Sequence, residues 1–177
     1  MIPIYDLGVV PSTNAYARHR LDNGLRRPIL LWARAQTAGQ GKPGHSFDSP
    51  VSGLYATWVL PLPEPFPSDI TLRWARYFAA ILQSEILEDD PRELSVVPLN
   101  DLFMNGKKVG GILVEKYRGR LIVGLGLNVL PREFSTELEE IATTFYLEER
   151  EGLGVRPLLD TLNRRISADF REEIRAL

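Results

Sequence analysis

Asn105-Gly106 separates two apolar, β-prone runs, Leu102 to Met104 and Lys107 to Lys116. Asn-Gly is the usual pair in a two-residue type I′ hairpin turn, because both positions need positive φ. A second turn at Arg118-Gly119 leads into another apolar run, Leu121 to Val129. Three consecutive strands joined by tight turns commit the middle of the chain to an antiparallel sheet. Such a sheet has to bury at least one face against other elements.

The rest of the chain supplies those elements. Ser12 can cap a helix from about Thr13 to Asp22, closed by Asn23-Gly24. Ile29 to Ala35 and Leu54 to Leu60 read as buried strands. Pro61, Pro63, Pro65 and Pro67 interrupt regular structure, and Ser68 is placed to cap a long helix with Ala75, Phe78, Ala79, Leu82 and Ile86 on one face. Leu94 to Val97 is a short strand. A last helix starts near Arg156, with Pro157 in its first turn and Leu159, Leu162, Ile166, Phe170 and Ile174 along one stripe. The expected class is α+β: a mixed or antiparallel sheet with helices packed on one face.

The chain has 177 residues, 44% of them hydrophobic and 25% charged, which suits one soluble domain. A net charge of −2 offers no bulk attraction for nucleic acid or an anionic membrane. No apolar run approaches the roughly 20 residues a membrane helix needs, and the start Met1-Ile2-Pro3-Ile4-Tyr5-Asp6 lacks the pattern of a signal peptide. The absence of cysteine excludes disulfides, thiolate metal sites and cysteine nucleophiles. A cytoplasmic location is the expectation.

Two segments carry chemistry. Gly39 to Gly44 holds three glycines, Pro43 and the cation Lys42. Such a loop brings backbone N–H groups close to an anion, and it is also what an ordinary solvent-exposed connection looks like. It lacks the P-loop spacing. Lys107 and Lys108 open a strand, so alternation sends one to solvent and the other to the working face. Gly110-Gly111, inside that strand, suits close approach of a ligand or of another backbone. Asn100-Asp101 fits either a turn or a site. Glu148, Glu149 and Glu151 read as a solvated charge run, and His19 as a surface residue. No spacing of His, Asp and Glu builds a metal site.

Taken in order, five segments resemble the catalytic domain of biotin protein ligases, within the biotin/lipoate ligase superfamily. These are Ser12-Thr13-Asn14; Gln36-Thr37-Ala38-Gly39 continuing through Ser49-Pro50 and Gly53-Leu54-Tyr55; Asn100-Asp101; Gly106 to Glu115; and Gly124-Leu125-Gly126-Leu127-Asn128-Val129. The resemblance covers nearly the whole chain. It implies a fold like that of class II aminoacyl-tRNA synthetases, with residues 1–177 as a single catalytic domain lacking an N-terminal DNA-binding domain and a small C-terminal β-domain.

It further implies activation of biotin by ATP and Mg²⁺ to biotinyl-AMP, then transfer to a lysine of a biotin carboxyl carrier domain. A homodimer is compatible, and nucleic acid and membrane are not implied partners. Lys108 would be catalytic, touching the biotin carboxylate and the α-phosphate. Ser12, Thr13, Asn14, Gln36, Gly39, Lys42, Gly110 and Gly111 would line the biotin side. Lys42, His45, Phe47, Asn100, Asp101 and Asn128 would line the nucleotide side, with Mg²⁺ arriving on ATP.

The chain departs from the family's Gln-Thr-x-Gly-Arg-Gly-Arg-x-Gly-Arg loop, which here reads Gln40-Gly41-Lys42-Pro43-Gly44-His45. Val97-Pro98-Leu99 replaces Lys-Trp-Pro before Asn100, and Phe47 replaces a tryptophan. A lysine is only a point charge toward phosphate where arginine is bidentate. Two alternatives therefore stand beside the ligase: a non-catalytic binder of biotin or another acyl compound, and a lipoate or octanoate transferase.

Overall fold

The computed structural model describes residues 1–41, 44–87, 90–97, 100–146 and 154–171. The strands are β1 (Ile4–Asp6), β2 (Val9–Val10), β3 (Ile29–Ala33), β4 (Ala35–Gln36), β5 (Gly53–Pro61), β6 (Leu94–Val97), β7 (Asp101–Met104), β8 (Lys107–Tyr117) and β9 (Arg120–Asn128). The helices are α1 (Thr13–Asp22), α2 (Ile70–Glu85), α3 (Thr136–Glu139) and α4 (Val155–Asp169). A mixed seven-stranded sheet runs β1-β3-β5-β9-β8-β7-β6, parallel at β1–β3 and antiparallel elsewhere.

The expected meander is present. Asn105 and Gly106 have φ of 49° and 80°, and Arg118 and Gly119 have 45° and 70°. Ser12 caps α1, its Oγ accepting from the Ala15 amide at 3.3 Å. The expected strand Ile29 to Ala35 breaks at Arg34, whose amide donates to the Gly8 carbonyl. Ala35 and Gln36 therefore leave the main sheet to pair with β2. α2 starts one residue later than expected, after Asp69 rather than Ser68, and Asp69 accepts from Arg73 at 2.7 Å instead of capping backbone amides. Ile174, the end of the expected α4 stripe, lies outside the described residues, as do Glu148, Glu149 and Glu151.

Strand alternation divides the sheet's side chains between two layers. On one face Leu54, Ala56, Trp58 and Leu60 of β5 and Leu121, Val123, Leu125 and Leu127 of β9 pack with Phe78 and Leu82 of α2 and Leu158, Leu162 and Ile166 of α4. Full burial of such a side chain contributes about 1.5–3 kcal/mol. Trp58 is wholly buried and its indole N–H donates to Asn163 at 3.2 Å. The expectation of helices on one face holds for α2 and α4. α1 lies on the opposite face, where Ala17 and Leu21 cover Ile29, Leu31, Val59 and Ile122. The central strands are buried on both sides, so each face needs its own helical cover.

Beyond Ile122 on the α1 side, β9 carries no apolar side chain. Its outward residues are Gly124, Gly126 and Asn128, and the β8 residues paired with the two glycines are Leu113 and Gly111. The gap left between α1, the glycine loop and these glycines is the candidate site.

Candidate active site

A cavity of about 210 Å³ opens over this glycine floor. Gly111, Gly124 and Gly126 line its base, with Ser12, Thr13 and Asn14 from the start of α1 at one wall. Gln40, His45 and Phe47 form the loop side, and Asn100, Asp101 and Lys108 the other wall. At Gly124 and Gly126 a side chain would collide with or crowd its neighbours. A Cβ on Gly124 would sit 2.3 Å from Asn14 Oδ1, and one on Gly126 would sit 3.0 Å from the Phe47 ring.

The α1 end is a hydrogen-bond network of uncharged side chains at the wall, backed by the Glu115–Arg18 ion pair. The Thr13 amide and hydroxyl donate to Gln36 Oε1 at 2.9 and 3.2 Å, and Gln36 Nε2 donates to Ser49 Oγ at 3.1 Å. Thr57, fully buried, donates to Asn14 Oδ1 at 2.7 Å and lies 2.8 Å from Thr13 Oγ1. Asn14 Nδ2 in turn donates to Glu115 at 2.7 Å, and Arg18 donates to the same carboxylate at 2.6 Å. Every member is partnered, which gives the polar wall a fixed shape. Burial pushes the Tyr55 phenol up, so it remains a donor to the Pro50 carbonyl at 2.8 Å.

Lys108 reaches the cavity because of a β-bulge. Leu102 pairs with Gly110 but Phe103 pairs with Lys108, leaving Val109 as the extra residue. Without it, alternation would put Lys108 on the α2 side with Ile112. The bulge turns it to the Gly111 face, where Nζ lies 2.9 Å from Asp101 Oδ1. Its backbone is pinned as well, the amide donating to the Ile141 carbonyl and its carbonyl accepting from the Thr143 amide. Lys107 points away, exposed, donating to the Glu139 carbonyl at 3.0 Å.

Other expected residues serve the frame. Gly110 is not part of the cavity, since a Cβ there would lie 2.5 Å from the Gly126 carbonyl oxygen. Gly39 is likewise pressed against the Phe47 carbonyl, and its place is in the loop's base. Asn128 is buried with both amide ends engaged, donating to the Thr143 carbonyl and accepting from Arg132. Asn100 is held on β8, its Nδ2 donating to the Ile112 carbonyl at 3.0 Å, while its buried Oδ1 has no partner among the described residues. Lys42, Pro98 and Leu99 lie outside the described residues.

Three charged residues that sequence reading passed over stand near this wall. Arg18 Nη2 lies 3.4 Å from Gln40 Oε1, so a guanidinium approaches the loop from α1 where the loop itself carries glutamine. Glu115 holds Arg18 in that position, and Arg132 ties Asp48 to Asn128. Glu115 closes the Gly106 to Glu115 segment, but no local motif marks what it, Arg18 or Arg132 pairs with, because Arg18 meets Glu115 and Arg132 meets Asp48 only across long separations. Among the described residues no three His, Cys, Asp or Glu side chains are placed to hold a metal. Asp101 is the carboxylate lining the cavity, a set that suits Mg²⁺ brought in by phosphates rather than a protein-built cage. Among the same residues no helix is long and apolar enough to cross a membrane.

A family model described as the Biotin/lipoate A/B protein ligase family matches residues 7–130. The bifunctional ligase/repressor BirA of Bacillus subtilis (strain 168) is 31% identical over 146 residues, covering 77% of this chain and 44% of that protein. The chain thus spans less than half the length of this curated relative. The biotin protein ligase of Aquifex aeolicus, solved in complex with biotin and ATP, superposes with a TM-score of 0.78 at 28% identity, over 97% of this chain and 72% of that one. The Leishmania major biotin protein ligase in complex with biotinyl-5-AMP shares the fold, with a TM-score of 0.77 at 24% identity over 96% and 75% of the two chains.

Proposed function

The chain belongs to the biotin/lipoate A/B protein ligase family, and from that premise we propose that it is an ATP-dependent biotin protein ligase with residues 1–177 as its catalytic domain. The observation that carries the reading is the bulge-directed Lys108 ammonium, beside the Asp101 carboxylate on a side-chain-free floor. A biotin carboxylate and the α-phosphate of ATP both need that cation when they are brought together.

In this reading the uncharged wall of Thr13, Asn14 and Gln36 receives the ureido ring, and the biotin carboxylate reaches Lys108. A carboxylate oxygen attacks the α-phosphorus, the bond to the β-phosphate breaks and pyrophosphate leaves; Mg²⁺ arriving on ATP would neutralise its charge. Lys108 stabilises the negative charge that develops on the α-phosphate, and a fixed donor is most effective where charge appears only in the transition state. The amine of a carrier-domain lysine then attacks the acyl carbon, AMP departs and the amine loses its proton. Asp101, Asn100, His45 and Phe47 flank the nucleotide, and Asn128 holds the end of β9 behind them. The names of the similar proteins, which bind biotin, ATP and biotinyl-5-AMP, support this substrate set over lipoate or octanoate.

Incubation with biotin, ATP, Mg²⁺ and a biotin carboxyl carrier domain should place one biotin on the carrier's lysine, read by intact mass. A carrier left unmodified while biotin binds the protein would favour the binding-module alternative.

A further inference from the structure

We propose that Arg132, which follows β9, is a positioning residue that locks the exit of the glycine loop to the strand behind Lys108. This rests on the ligase reading for its kinetic consequence and on geometry alone for its structural one. Its side chain is 13% exposed, and its guanidinium donates to Asp48 at 2.6 Å and to Asn128 Oδ1 at 3.3 Å and lies 4.2 Å from the Phe134 ring centre.

Both partners lead to the cavity. Asp48 follows Phe47, whose ring covers Gly126 and whose amide donates to the Gly39 carbonyl at 2.9 Å. Asn128 Nδ2 donates to the Thr143 carbonyl at 3.2 Å, and the Thr143 amide donates to the Lys108 carbonyl at 2.9 Å. A continuous hydrogen-bonded path therefore runs from the loop, through one guanidinium, to the backbone of the lysine. The fork of Arg132 spans two acceptors at once, which a lysine ammonium on a flexible stem does less well. Asp48 is largely exposed, so the pair adds little to global stability. What it determines is where the loop sits.

Arg132→Met keeps an unbranched side chain of similar length and removes the fork together with the guanidinium that lies over the Phe134 ring. Amide exchange at Gly41 and Phe47, both hydrogen-bonded within the loop, should accelerate about tenfold, the equivalent of one lost charge-assisted hydrogen bond. The KM for ATP should rise by a similar factor of about ten, with kcat changed far less. Asp48→Ala should reproduce the defect, the double variant should be no worse than either single one, and Arg132→Lys should recover part of it. A merely structural role would instead lower the melting temperature and leave loop exchange and KM unmoved. Unchanged exchange at Phe47 in Arg132→Met, or additive effects of the two variants, would overturn the proposal. Absence of turnover in the wild type would sink the ligase reading, and the exchange measurement would still decide the role of Arg132.

Discussion

Lys108→Ala is expected to reduce biotin-dependent pyrophosphate release by roughly 10²–10³-fold, the usual loss when one preorganised electrostatic donor is removed from a transition state. The fold should survive. The Lys108 side chain is 36% exposed and pairs with Asp101, and partly exposed pairs contribute about 0–1 kcal/mol. The backbone bonds that pin this strand to Ile141 and Thr143 do not involve the side chain. Lys107→Ala is the matched control, since the Lys107 ammonium donates to the Glu139 carbonyl at the surface, away from the cavity, and its turnover should stay at the wild-type level. Steady-state pyrophosphate release alongside thermal melts separates the two. Wild-type turnover in Lys108→Ala would remove the lysine from the mechanism.

Gly124→Ala should damage both stability and ligand binding. The added methyl would lie 2.3 Å from Asn14 Oδ1 and 3.0 Å from its Cγ. Asn14 cannot simply retreat, because its amide donates to Glu115, itself held by Arg18. Any shift also breaks the bond from the buried Thr57 hydroxyl. Overpacking of this kind costs roughly 1–3 kcal/mol, and the lost hydrogen bond adds about 1 kcal/mol, since the Thr57 hydroxyl still has Thr13 Oγ1 at 2.8 Å. The urea midpoint should fall, and biotin affinity should drop about tenfold or more for each 1.4 kcal/mol of lost wall geometry. Gly154→Ala, far from the cavity and with no described atom nearer than 3.9 Å to its methyl, should leave biotin affinity unchanged. A Gly124→Ala protein with wild-type stability and affinity would show that the floor is not the binding surface.

The features legible in the sequence are those made locally. The two turns follow from Asn105-Gly106 and Arg118-Gly119, the α1 cap from Ser12, and the core stripes from helical spacing. The position of Lys108 was legible as a residue but not as a geometry. Strict alternation would have sent it to the α2 face with Ile112, and only the bulge at Val109 turns it toward Asp101. Bulges depend on how two strands pair, which one strand's sequence does not state. The network around Asn14 was hidden for a related reason. Thr57 meets Asn14 across 43 residues, Arg18 meets Glu115 across 97, and Arg132 meets Asp48 across 84. The paired glycines 110 and 111 illustrate both outcomes, one making room for the neighbouring strand and the other facing the cavity.

The central claim is that this cavity joins a biotin carboxylate to the α-phosphate of ATP. It is tested most directly by mixing the wild-type protein with biotin, ATP and Mg²⁺, without any carrier, and analysing the quenched mixture by mass spectrometry. Biotinyl-AMP should appear in amounts stoichiometric with the protein, formed with equal pyrophosphate, and roughly 10²–10³-fold more slowly in Lys108→Ala. Biotin bound at saturation, with ATP intact and no adenylate formed, would contradict it.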